Sequence, residues 1–120
     1  MSEAQEATRQ PVDLDHLGRY TGGEADLNAE VLEMFVRQCA EALSQLHALI
    51  QNRDAKTWRD TLHRLKGSAL GVGAFPLAEK LATAEAINPE IAPSEAAVAL
   101  ESLQLGSNMV STFVAAYRHG

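Results

Sequence analysis

The sequence predicts an all-α fold, an antiparallel four-helix bundle with an additional short N-terminal helix. Three observations predict it. Apolar residues recur at alternating spacings of three and four in long stretches, the period of a helix with one buried side. Glycine, proline and asparagine fall where those periods break off. The composition is 46% hydrophobic but only 5% aromatic, and rich in alanine, which suits closely packed helices. No stretch alternates as a strand would, and no internal repeat is visible. A chain of 120 residues has room for one core. Residues 1–10 are polar and aperiodic and are expected to form a mobile tail, leaving 11–120 as the bundle domain.

Taken in order, Pro11 and Asp13 can start the short helix, with Leu14, Leu17 and Tyr20 as its buried side and Gly22-Gly23 as its stop. Asp26 or Asn28 can cap the second helix, which runs to about Asn52. Its stripe is Leu32, Phe35, Cys39, Ala42, Leu46 and Leu49, widened by Val31, Leu43 and Ile50. Asn52-Arg53-Asp54 reads as a tight connection with Asp54 capping the next helix. The third helix carries Ala55, Trp58, Leu62, Leu65, Ala69 and Val72 on its seam. Gly71 and Gly73 loosen or end it, and Pro76 suits the first turn of the fourth, which buries Leu77, Leu81 and Ala84. Asn88, Pro89 and Pro93 mark a loop. The last helix runs from near Ser94 to Tyr117, with Ala99, Leu103, Gly106, Val110, Phe113 and Tyr117 in heptad-like order.

Charge and cysteine content exclude several roles. The net charge is −6, and binding to a phosphate backbone needs a basic face, so nucleic acid is not an expected partner. A single cysteine, Cys39, precludes an internal disulfide and sits at a core position. No stretch is long and apolar enough to span a bilayer, and no signal-peptide pattern opens the chain; a soluble, cytoplasmic, monomeric protein is expected. Histidines are not paired at helical spacing, so a metal site in the bundle core is not expected. His16, His47 and His119 are expected to be solvated.

The third helix holds the chemistry. His63 follows Leu62 and is therefore rotated by about 100° from the seam, toward solvent. Lys66 and Gly67 are its neighbours one turn on, with Arg59 and Lys56 along the same flank toward the N-terminus. A glycine inside a helix costs about 0.5–1 kcal/mol relative to alanine, so close approach by another body is its expected use. An exposed imidazole beside a cation and a gap can carry a phosphoryl group, because its unprotonated nitrogen is a good nucleophile near neutral pH. Lys66 would neutralise charge on that group. Ser68 either bonds to its own backbone or helps to orient the phosphoryl group, and Leu70, off the seam on the His63 side, is either core at a wide part of the seam or the anchor of a docking patch that residues of the preceding helix could join. Glu85 reads as the end of a surface stripe.

These residues, His63, Leu65, Lys66, Gly67, Ser68 and Ala69 followed by Gly73 and Ala74, resemble the H-x-L-K-G-S-A…G-A signature of histidine-containing phosphotransfer (HPt) domains. Asp13-Leu14, Leu17, Thr21-Gly22-Gly23, Leu32, Phe35, Leu77, Leu81 and Glu85 extend the resemblance over about Val12 to Ala86. Gly71 departs from it, standing where the family commonly carries a small polar residue.

The resemblance implies a four-helix bundle in which His63 is phosphorylated by the aspartate of one receiver domain, on a hybrid histidine kinase, and passes the group to another, on a response regulator. Arg59, Gly67, Ser68 and Leu70 would contact those partners. No cofactor is implied for the chain itself; Mg²⁺ is expected in the partner receiver. The sequence holds no glycine-rich nucleotide loop, so His63 is not expected to be phosphorylated from ATP by this chain, which would be an intermediate in a relay more than a free-standing enzyme. The competing class is a helical adaptor that binds receivers without phosphoryl chemistry.

Overall fold

The computed structural model describes residues 9–119, which form five helices and, among the described residues, no strand. These are α1 (Leu14–Thr21), α2 (Ala25–Gln51), α3 (Ala55–Val72), α4 (Phe75–Glu85) and α5 (Pro93–His119). Helices α2 to α5 pack as a square in which each helix touches the next in the chain except at the closing side, where α5 returns to α2. Helices α3 and α5 stand diagonally and share no packing. The short α1 lies across the end of α2 and α3. Most of the expected tail lies outside the described residues; of its last two positions, Arg9 is ion-paired with Glu79.

The 3–4 periods become the core. Leu32, Phe35, Cys39 and Leu46 of α2 meet Trp58, Leu62, Leu65 and Ala69 of α3, Leu77 and Leu81 of α4, and Leu103 and Val110 of α5, all nearly or fully buried. Burying a leucine or aromatic side chain of this kind contributes about 1.5–3 kcal/mol over leaving it exposed. Burial pushes the Cys39 thiol up to about 11, against a hydrogen bond with Ser107 that lowers it, so the cysteine behaves as a core side chain.

The hairpin of α3 and α4 is fixed at both ends. At its open end the Trp58 indole Nε1–H donates to the Ala84 carbonyl at 3.1 Å. At its bend Gly73 adopts φ +85, and its carbonyl accepts the Asp13 N–H at 2.9 Å. A Cβ at Gly73 would lie 2.7 Å from the Asp13 carbonyl oxygen, so both conformation and space require glycine there. Asp54 caps α3 as expected, accepting from the Thr57 N–H at 3.1 Å and its hydroxyl at 2.8 Å; these bonds hold its carboxyl below the usual range.

Several sequence expectations are corrected. Gly71 does not end α3; the helix continues through it to Val72. Helix α2 starts after Glu24 without a side-chain cap. Asn28 lies inside it instead, accepting from the Thr21 hydroxyl and donating to the Tyr117 hydroxyl at 3.2 Å, a tie between α1, α2 and α5 that outweighs capping. Tyr20 is 70% exposed, because α1 covers the bundle end through Leu17 and only one side of it meets the core. His16 is not solvated: its ring packs edge-on against Tyr20 and Phe75, and its Nε2 is buried without a partner. The side chain of His119 lies outside the described residues.

Gly73→Ala should lower the unfolding free energy by about 1–3 kcal/mol, from strain at positive φ and the clash with Asp13. A urea midpoint that falls at unchanged slope would register it; an unaltered midpoint would refute this account of the bend.

Candidate functional site

Because α3 and α4 run antiparallel about Gly73, residues at similar distances from the bend stand level with one another. That brings Glu85, the last residue of α4, opposite His63. The His63 Nδ1 lies 2.8 Å from Glu85 Oε1, and Lys66 Nζ donates to Glu85 Oε2 at 2.6 Å. The His63 side chain is 72% exposed while that of Glu85 is only 18% exposed, so the carboxylate is seated at the base of the site and the imidazole stands above it.

The electrostatics assign the protons. The hydrogen bond from Lys66, and after it the one with His63, hold the Glu85 carboxyl below its ordinary range in spite of partial burial. Glu85 is therefore ionised at neutral pH and can only accept. Nδ1 must carry the proton in that contact, which leaves Nε2 of the neutral ring with its lone pair free on the exposed side.

The other predicted site residues divide around His63. Arg59 is exposed one turn before it. Gly67 is exposed one turn after it, and a Cβ there would meet no atom within 4 Å: open surface rather than internal packing. Leu70 is 45% exposed and lines a shallow groove with Lys66, Phe75, Ala78, Glu79 and Ala82. Its apolar neighbours thus come from α4, the following helix, and not from the preceding one as expected. Ser68 does not join the histidine. Its Oγ accepts from the Gln38 side-chain amide at 2.9 Å on the α2 side, which is neither of the roles left open for it. Lys56 is paired with Asp60 at 2.6 Å.

Glu85 is the site residue that sequence reasoning missed, taken there for the end of a surface stripe. The usable signal was its distance from the Gly73 bend, close to that of His63 on the other arm. Among the described residues no three histidine, cysteine, aspartate or glutamate side chains gather as a metal would need, and no helix is long and apolar enough to cross a membrane.

Comparison with known families matches the Hpt domain model over residues 30–113, most of the chain, from the first turns of α2 to near the end of α5. The chain belongs to the Hpt domain family. Its role is accordingly phosphotransfer in two-component signalling, in concert with receiver domains. Comparison with curated proteins and with solved structures finds no match. The matched region contains every residue of the His63–Lys66–Glu85 triad; of the five helices it leaves out α1, the first residues of α2 and the C-terminal turns of α5.

In this Hpt domain Glu85→Gln should release the histidine from a single tautomer. Nitrogen-detected NMR should find Nε2 unprotonated in the neutral wild type and a mixture of tautomers in the variant; a variant spectrum like the wild type would remove Glu85 from the site. Since the folded pKa of Glu85 is depressed, its stabilising contribution is fully present above the unfolded value, about 4.3, and is lost as the pH falls through the lower folded value. The acid unfolding limb of Glu85→Gln should therefore be flatter there.

Proposed function

We propose that His63 accepts a phosphoryl group on Nε2 from the phospho-aspartate of one receiver domain and delivers it to the aspartate of a second. The observation that carries this reading is the exposed ring whose Nδ1 is engaged by an ionised carboxylate. The Nε2 lone pair attacks phosphorus; the bond between phosphorus and the aspartyl oxygen breaks, and the aspartate leaves as a carboxylate. The ring keeps its Nδ1 proton and becomes cationic, and Glu85, already in contact, offsets that charge. The second transfer reverses these steps on another aspartate. Mg²⁺ held by the receiver would supply the remaining charge neutralisation at the phosphoryl oxygens.

Lys66 has two uses in this scheme. Its bond to Glu85 keeps the carboxylate ionised and seated, and the other N–H donors of the ammonium are available to a phosphoryl oxygen. Arg59 and Arg64 add to a cationic helix: α3 carries four lysines and arginines against one aspartate, in a chain of net charge −6. That local excess would steer the site toward the acidic phosphorylation centre of a receiver. The partners are receivers of a hybrid histidine kinase and of a response regulator, met in the cytoplasm through the surface beside His63 that includes Arg59, Gly67 and Leu70.

His63→Gln should fold normally and accept no label from a phosphorylated receiver, whereas an adaptor without phosphoryl chemistry would still bind receivers after the change. Acid-labile, base-stable label on that variant at the wild-type level would refute the proposal. Gly67→Leu should raise helix stability by up to about 1 kcal/mol, since the position is open, and yet slow transfer by blocking close approach. A variant that is more stable and transfers at the wild-type rate would show that the gap serves no partner.

A further inference from the structure

The carboxylate that orients His63 stands at a weak place in the fold. Glu85 is the last residue of α4, and the last turn of a helix leaves its carbonyls without partners in the helix and opens most easily. Helices α1, α2 and α3 each close on a residue at positive φ just past their ends, Gly22, Arg53 and Gly73 in turn. Helix α4 has no such residue. It passes through Ala86 in right-handed geometry, and its last turn carries no basic side chain. Its own sequence therefore supplies little to keep Glu85 in place.

What α4 lacks comes from α3. The Trp58 indole Nε1–H donates to the Ala84 carbonyl at 3.1 Å, and the same oxygen accepts from the Ile87 N–H at 3.1 Å. The carbonyl of Ala84 and the nitrogen of Glu85 belong to one planar peptide unit, so holding the oxygen fixes the plane from which the Glu85 side chain departs. The clamp is itself rigid. Trp58 is wholly buried among the core side chains, which leave the indole no room to turn away. Helix α3 thus holds Glu85 from two sides, by the indole beneath and by Lys66 and His63 above.

We propose that Trp58 is a positioning residue for the phosphotransfer site: its N–H keeps the last turn of α4 closed, so that Glu85 stays on Nδ1 of His63 and Nε2 stays free. The core asks for a bulky apolar side chain at this position, which phenylalanine or leucine would also supply; the N–H is the part of Trp58 that reaches the site. The effect on transfer rests on the phosphotransfer reading above, and the effect on the tautomer of the ring does not.

The chain has a single tryptophan, so it can be replaced throughout by benzothienylalanine, whose ring keeps the shape of the indole with sulfur in place of the N–H. Nitrogen-detected NMR of His63 in this protein should show a mixture of tautomers where the wild type shows Nε2 unprotonated. Transfer from a phosphorylated receiver should slow by about two- to fivefold, in proportion to the fraction of chains in which Glu85 is still seated. In the Glu85→Gln background the same replacement should leave the tautomer mixture unchanged, since the indole acts through Glu85. Leu103→Ala, a core change on α5, should lower stability without moving the His63 spectrum, which separates positioning from a general loss of packing. A wild-type tautomer or transfer rate in the replaced protein, a further shift in the Glu85→Gln background, or an equal shift in Leu103→Ala would each overturn the proposal and leave the phosphotransfer reading standing. Absence of transfer to the wild type would overturn that reading instead, with the tautomer still deciding the role of Trp58.

Discussion

The register of the α3–α4 hairpin is the constraint on which the site depends. It is set by a glycine at the bend, where any side chain would be strained, and by an indole hydrogen bond at the open end. Between them the hairpin cannot slide, and Glu85 arrives level with His63. Sliding by one residue would rotate α4 by about 100°, taking the carboxylate off the histidine and turning the buried Leu77, Leu81 and Ala84 away from the core. The site and the packing therefore depend on the same register. Trp58, the largest buried side chain, shows how the two are coupled: its apolar body fills the core while its N–H tethers Ala84, the residue before Glu85.

Seen from the charges, Glu85 does in miniature what a metal ligand's carboxylate does for a histidine. It fixes which nitrogen carries the proton and leaves the other available. The hydrogen bond from Lys66 holds it ionised, with the one from His63 second. Lys66 keeps the carboxylate in place, and in the proposed transfer that carboxylate would offset the charge of the ring. The chain is acidic as a whole, but α3 is cationic, so among the described helices His63 sits in the one whose field favours an incoming anionic group.

The surface divides in a similar way. Around His63 the helix is small and open, with Gly67 exposed and Leu70 at the edge of a groove shared with α4. Across the bundle, α5 turns a line of Val98, Leu105 and Met109 outward. The diagonal placement of α3 and α5 keeps that line away from the His63 surface. The α1 cover, tied on by the Asp13–Gly73 bond and by Asn28 through Thr21, closes the remaining end of the core and packs His16 against Phe75 at the edge of that groove.

The sequence by itself determined the helices and most of the core, because a 3.6-residue period and a few strong breakers are local properties. Leu62, Leu65 and Ala69 could be assigned to the inside, and His63 to the outside, from spacing alone. The Hpt signature named the chemistry for the same reason, being contiguous. Only the tertiary structure decided what stands across from the histidine. Glu85 looks like any glutamate ending an exposed stripe until α4 folds back, and Ser68, adjacent in sequence to the site, turns away because α2 offers Gln38 a short distance off. His16 and Tyr20 exchanged their expected places because α1 meets the bundle end by one side only. In α5 the periods of both faces are written in the sequence, and packing alone chose which of them became the core and which stayed exposed.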